Sequence, residues 1–273
     1  MYGLADDHVH TFRCGHAGGA SREFVEQALA IGLHEIAFTD HIPLYFLPAE
    51  RRDPRLAMRE EQFDGYVAEV ENLKREFEGR IAVHLGLEAD YAEGREEELA
   101  RWLSRAEWDV VLGSVHWVGS GWIDDPATSP PPSRGAGSTR HRGPRCPRAR
   151  TAAATGLFDV LTHFDLPKKH GHRPAEPLRV AEEKALAAAK TAGCAIEISS
   201  AGLRKKVGEM YPEPRLLARA VALGIPVTFS SDAHAPAEVG WGYDRTVAAA
   251  RDAGVGEFVT FERRRPRSHP LPP

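Results

Sequence analysis

One rhythm limits the folds open to this chain: short apolar runs of strand character alternate with longer stretches of helical spacing. The runs fall at 4–10, 35–39, 81–88, 109–116, 159–163, 194–199 and 226–230, with a last one at 257–261. Between them, apolar residues recur every three or four positions. The clearest stripe is Phe63, Tyr66, Val67, Val70, Leu73 and Phe77, in a helix expected over 61–78 and closed by Gly79. Further helices are expected from Ser21, read as an N-cap, to the Ile31-Gly32 stop, and at 94–106, 175–192, 213–223 and 244–253. Such alternation predicts parallel strands covered by helices. In barrels of this class, active sites collect at the C-terminal strand ends. At 273 residues, the chain suits two average domains or one large α/β barrel.

The residues standing at those ends carry the chemistry. Ala5-Asp6-Asp7-His8-Val9-His10 closes the first run, and alternate strand side chains share a face, so His8 and His10 point together. Other runs stop at Asp40-His41, Glu88, His116, His163 and Asp232-Ala233-His234. Any one such histidine reads best as a core or surface residue. Ligand-type residues at so many strand ends point instead to one convergent site. Imidazole and carboxylate donors suit zinc, manganese or iron better than calcium. The Gly-rich loop 11–19 carries His16 and also Cys14, read as a small packing residue. A long loop, 42–60, is expected over the mouth of the site. His84 shares strand parity with Glu88 and is expected in the barrel interior below it. His34, His141, His170, His172 and His269 lack this setting and read as structural or solvent-exposed.

Composition narrows the classes further. A hydrophobic fraction of 42% and a charged fraction of 27% are ordinary for a soluble globular protein. The net charge of -4 gives no electrostatic reason to bind nucleic acid or a membrane surface. No run approaches the ~18 apolar residues of a membrane span, and no basic, apolar leader precedes the first strand. Three scattered cysteines do not make a disulfide framework, so a reducing cytoplasm is the expected compartment. Oligomeric state leaves no signature in the chain.

Residues 127–150 break the rhythm. They are rich in proline and arginine and contain no acid and no Leu, Ile, Val or Phe. By composition the stretch cannot bury an apolar face, so 127–155 is expected to be an anomalous loop inside a single domain over 1–262. Two origins stay open: a genuine insertion, or a stretch read out of frame in a GC-rich gene, which resequencing separates. The Arg-Pro tail 263–273 is expected to fray.

Taken together, Asp7-His8-Val9-His10-Thr11, His16, Thr39-Asp40-His41, Gly86-Leu87-Glu88-Ala89-Asp90, Gly113-Ser114-Val115-His116, Leu161-Thr162-His163-Phe164-Asp165 and Ser231-Asp232-Ala233-His234 resemble the PHP (polymerase and histidinol phosphatase) family. Leu166-Pro167-Lys168-Lys169, the Glu197-to-Lys205 segment and Tyr211-Pro212 resemble its stand-alone histidinol-phosphatase branch. The resemblance implies a distorted seven-stranded (β/α) barrel holding three divalent metal ions (zinc, manganese or iron). Carried over by position, the metal ligands are His8, His10, His16, His41, Glu88, His116, His163, Asp232 and His234. Arg204 resembles the family's phosphate-binding arginine, with Lys168 a weaker candidate for substrate contact.

The implied reaction is hydrolysis of L-histidinol phosphate, a small phosphate ester of histidine biosynthesis. Clustered ions bring the pKa of a bound water to roughly 7, giving a hydroxide for direct in-line attack. Glu88 and Asp232 can each bridge two ions, and Asp232 or His234 can assist the leaving oxygen. Asp40 and Asp165 are candidates to orient ligand histidines. Two other readings stay open: a PHP phosphoesterase acting on another small phosphate or a nucleotide 3′ end, and a metal-binding but impaired homologue.

Overall fold

The computed structural model describes residues 3–118, 121–122, 145–171 and 179–273. Seven parallel strands form one sheet in the order β1 (Ala5–Val9), β2 (Glu35–Phe38), β3 (Ala82–Asp90), β4 (Val110–Ser114), β7 (Val160–Leu161), β8 (Ala195–Ser199) and β9 (Val227–Ser230). The sheet curls until its edges meet. His10 donates its N–H to Ala233 C=O at 2.9 Å, and Ala233 donates to His8 C=O at 3.3 Å. Asp6 closes the seam with its side chain, accepting from the N–H groups of Ser231 at 2.8 Å and Gly240 at 2.9 Å. The expected parallel barrel is therefore present, nearly closed.

Helices α1 (Ser21–Ala30), α2 (Phe63–Glu76), α3 (Glu96–Leu103), α5 (Arg179–Ala192), α6 (Pro214–Ala222) and α7 (Tyr243–Asp252) fall in the intervals between strands. The stripe Phe63, Tyr66, Val70, Leu73 and Phe77 is buried, as its spacing required. Tyr66 also reaches the sheet, donating its hydroxyl to Gly86 C=O at 2.8 Å. Only glycine fits at 86, because a Cβ there would come within 2.6 Å of Thr39 and 2.7 Å of Val110. The α1 cap differs from expectation. Ala20 is the N-cap, and the Glu23 carboxylate accepts its N–H at 2.7 Å. Ser21 lies inside the first turn with its hydroxyl buried and unpaired.

Three other segments depart from the sequence reading. The anomalous loop was placed over 127–155, yet 145–154 is helical (α4). This helix buries Ala149, Ala152 and Ala153, and Ala149 and Ala153 pack with Ala185 and Ala189 of α5. An alanine face needs no large side chain, so composition concealed it. Residues 127–144 lie outside the described residues, as do His141 and His172.

A short hairpin, β5 (Trp117–Val118) with β6 (Gly121–Trp122), follows β4. The tail was expected to fray from 263, but β11 (Arg265–Pro270) pairs antiparallel with β10 (Glu257–Glu262). Arg263 and Arg264 form the two-residue turn at φ 49° and 60°. The strain of that conformation is offset where the tip docks: Arg264 donates to Asp109 C=O at 2.8 Å and pairs with Asp159 at 3.0 Å.

Candidate metal centre

The C-terminal ends of the strands converge, and with them the expected donors. His8 and His10, at the end of β1, bring their Nε2 atoms to 3.0 Å of one another. Glu88 on β3 lies at the centre. Its Oε2 is 3.2 Å from His8 Nε2, 3.5 Å from His10 Nε2 and 2.9 Å from His41 Nδ1. Its Oε1 is 3.0 Å from His163 Nε2 and 3.7 Å from His116 Nε2. Asp232 Oδ1 is 3.2 Å from His10 Nε2 and 3.7 Å from His8 Nε2. The His234 ring stacks on His10 at 4.3 Å and on His16 at 4.6 Å between centroids. All nine expected donors are thus drawn into one group. His8, His10, His41, Glu88, His116 and His163 form a buried floor, while Asp232, His234 and His16 form an upper layer open to solvent.

Local structure aims these groups. Gly15 turns the loop that carries His16 at φ 83°, and a Cβ there would meet Pro54 C=O. His16 Nδ1 lies 2.9 Å from the carbonyls of Cys14 and Arg55. Segment 42–60 therefore lies against the rim, as expected, through Pro54 and Arg55. His163 and Asp232 adopt positive φ of 24° and 51°, a costly conformation for residues with side chains, and one that clusters at functional sites.

Lone pairs outnumber protons in this group. His41 Nδ1 and Glu88 Oε2 are close, yet among the described residues neither has an aligned hydrogen bond. His10 Nδ1 and His234 Nε2 are also buried with no partner among the described residues. An unpaired buried polar atom costs about 1–3 kcal/mol, so several in one cavity imply a ligand that accepts lone pairs. The triads His10–His41–His234 and His8–His10–Glu88 each bring three donor atoms within 4.8 Å of one another, a separation suited to a metal ion.

Protonation agrees with that reading at the upper layer and at both carboxylates, while the His8 pKa is held above its ordinary value because Glu88, Glu197 and Asp232 outweigh burial. Burial, together with His41 and His234, holds the His16 imidazole down to about 4. Burial also brings His234 to about 4, with Asp232 opposing and His41 assisting. Burial works against ionising Glu88 and Asp232, but the surrounding imidazoles outweigh it and hold both carboxyls well below their ordinary range. Neutral imidazoles and ionised carboxylates are the forms that bind metals. Cys14 is buried beside them, its thiol pushed up to about 12 by burial and by Asp40, which fits the packing role expected of it.

The residues that orient the donors were only partly legible. Glu197 on β8 went unassigned, yet it is fully buried, with Oε1 2.6 Å from His8 Nδ1 and Oε2 accepting the His163 N–H at 2.5 Å. The signal was a lone carboxylate inside the apolar run Ala195–Ser199, which places it in the barrel interior. Asp90 Oδ1 likewise lies 3.0 Å from His116 Nδ1. Asp40 mainly fixes Thr11, whose N–H it accepts at 2.5 Å, and approaches His10 Nδ1 only to 3.9 Å. Asp165 instead accepts the Glu213 N–H and pairs with Lys168, each with its Oδ2, and among the described residues it meets none of the expected ligand histidines.

The two expected cationic contacts separate. Lys168 is 5% exposed and its amine is surrounded by Met210 C=O at 2.7 Å and by Asp165 and Glu209 at 2.8 Å each. Those oxygens satisfy all three of its protons, so the lysine braces a loop rather than meeting substrate. Arg204 donates Nη2 to the carbonyls of Ser231 at 2.8 Å and Asp232 at 3.1 Å. Among the described residues its buried Nη1 has no hydrogen-bond partner, and its Nε has only an ion pair with Glu238 Oε1 at 3.4 Å.

Known proteins agree with this geometry. The PHP domain family matches residues 6–201. A probable histidinol-phosphatase of Deinococcus radiodurans is 40% identical over 97% of this chain and 99% of its own length. The histidinol-phosphatase of Bacillus subtilis is 29% identical over 88% of this chain and 96% of its own. The fold matches that of the Lactococcus lactis histidinol phosphate phosphatase, a structure containing zinc, L-histidinol and phosphate. That match has a TM-score of 0.82 at 21% identity and covers 98% of this chain and 100% of the other. The chain belongs to the PHP family, on its histidinol-phosphatase branch.

Proposed function

We propose that the protein hydrolyses L-histidinol phosphate to L-histidinol and phosphate, serving histidine biosynthesis, with three divalent ions of the zinc, manganese or iron class at the barrel rim. The observation that carries this reading is the set of unpaired buried donor atoms around Glu88 in a chain aligned end to end with a probable histidinol-phosphatase. The residues fit the ions: His8, His10, His16, His41, Glu88, His116, His163, Asp232 and His234 would hold them. When bound, such ions supply Lewis acidity toward phosphoryl oxygens and lower the pKa of water to about 7.

The remaining work falls to the chain. Arg204 offers its buried Nη1, which has no hydrogen-bond partner among the described residues, to a phosphate oxygen as a charge-assisted donor. Its Nη2 meanwhile steadies the backbone of Asp232. Glu197 sets the His8 ring, and Asp90 sets that of His116. An Asp232 carboxylate oxygen left free of the ions would take a proton from the attacking water and pass it to the departing alkoxide oxygen. Trp122 stacks on His116 at 5.4 Å and provides an aromatic wall for the organic part of the substrate.

The test is a substrate panel on purified protein: L-histidinol phosphate, p-nitrophenyl phosphate and single-stranded DNA. Preferred release of phosphate from L-histidinol phosphate is expected. Efficient DNA digestion with no action on that ester would overturn the assignment.

A further inference from the structure

Three donors gather at the opposite end of the barrel, where no catalytic role reaches. His34 precedes β2, Glu35 is the first residue of β2, and His269 is in β11. One donor atom from each lies within 4.8 Å of the others. His34 Nε2 is 3.8 Å from Glu35 Oε2, and the two imidazole rings are 4.9 Å apart between centroids. A cavity of about 280 Å³ opens on both rings, lined by Gly3, His34, His269, Pro270 and Pro272.

The decisive feature is the state of His34. The side chain is 34% exposed, yet both ring nitrogens lie on its buried side, and neither has a hydrogen-bond partner among the described residues. Leaving buried ring nitrogens unengaged is costly. The backbone at His34 is held on both sides, donating to Leu4 C=O at 3.0 Å and accepting from the Ala82 N–H at 3.0 Å, which fixes where the side chain starts. His269 is steadied too, stacked on Phe258 at 5.3 Å, with Nε2 2.9 Å from the Thr260 hydroxyl. With Nε2 donating to that hydroxyl, Nδ1 keeps its lone pair free as a donor. This is the arrangement in which an outer hydrogen bond fixes the tautomer of a ligand histidine.

We propose that His34, Glu35 and His269 form a second metal site, separate from the rim, which takes a zinc-class divalent ion and clamps the β10–β11 hairpin to the base of the barrel. Two imidazoles and one carboxylate are a zinc donor set, with a fourth position left for water. Bonds of about 2.0–2.1 Å in a tetrahedral shell set donors roughly 3.4 Å apart, so a small side-chain rotation closes the cluster. Glu35 Oε1 faces His84 Nε2 at 3.3 Å, which leaves Oε2 for the ion.

The test uses the full chain. After equilibrium dialysis against zinc, the metal per chain is measured for the wild type, His34→Gln and His269→Ala. Each variant is expected to hold one ion fewer, with phosphate release within about twofold of wild type because the sites are distant. Hydrogen exchange supplies a readout independent of activity. Backbone amides of 257–270 are expected to be protected by zinc in the wild type but not in His269→Ala. Equal metal content in all three proteins would overturn the proposal, as would zinc-independent exchange of the wild-type hairpin.

Discussion

Histidines occupy both the rim and the interior of this barrel, and in each place their neighbours set their protonation. In the interior, His84 has Glu35 Oε1 at 3.3 Å on one side and Asp109 Oδ2 at 3.4 Å on the other. Lys74 supplies a further positive charge at 2.8 Å from Asp109. Burial lowers the His84 pKa, but Asp109 and Glu35 outweigh it and raise it to about 9. In the upper layer of the rim, burial and neighbouring imidazoles hold His16 and His234 at about 4, whereas around His8 the carboxylates Glu88, Glu197 and Asp232 outweigh burial and raise its pKa above the ordinary value. The ratio of carboxylates to imidazoles around a ring thus sets its protonation in both places, favouring the charged form at His84 and His8 and the neutral form at His16 and His234.

The largest expected effect comes from emptying the centre of the rim. His10→Ala removes a donor shared by both donor triads, and phosphate release should fall at least about 1000-fold, a loss of several kcal/mol in the transition state. Metal analysis of the same protein should show depleted ions. Unchanged turnover would mean that the rim histidines are no more catalytic than His84.

Arg204→Ala comes next. Charge-assisted hydrogen bonds contribute about 1.5–3 kcal/mol, so kcat/KM for L-histidinol phosphate should drop roughly 10- to 100-fold. Metal content should stay near wild type, which separates a phosphate contact from a ligand.

Glu197→Gln tests the layer behind the donors. It keeps the shape but weakens the hold on His8, and outer partners of this kind change metal affinity about 10- to 100-fold. A competitive chelator titration reads that shift, and an affinity equal to wild type would reduce Glu197 to a packing role.

The smallest effect is in the interior and appears as stability. Because the folded pKa of His84 is raised above its ordinary value of 6.5, its contribution is complete below about pH 6.5 and is lost as the pH rises through about 9. Thermal unfolding of wild type should therefore weaken over that interval more than that of His84→Gln. Parallel curves for the two proteins would remove the ion-pair reading of His84.

How far the sequence carried this account depends on the range of the interactions concerned. Donors at strand ends were legible because the period of a strand and the polarity of a parallel barrel are local rules. His84 was placed in the interior by the same parity. Glu197 and Asp90 were not assigned roles, because what they orient is decided by which strands become neighbours. The 117–122 hairpin escaped because strands of two residues have no periodicity to detect.

Helix α4 was hidden by its alanine face, and β11 by a turn that uses Arg263-Arg264 where Asn-Gly is the usual signal. Lys168 illustrates a different limit. Its position after β7 suggested a phosphate contact, but Asp165 and Glu209, both polar residues of ordinary appearance in the sequence, claim its amine.

The most direct measurement of the central claim is chelation followed by restoration. Protein stripped of divalent ions is assayed for phosphate release from L-histidinol phosphate, then assayed again after zinc, manganese or iron is returned. Activity should vanish with the ions and recover with at least one of these metals. Full turnover by metal-free protein would contradict the assignment of the rim donors.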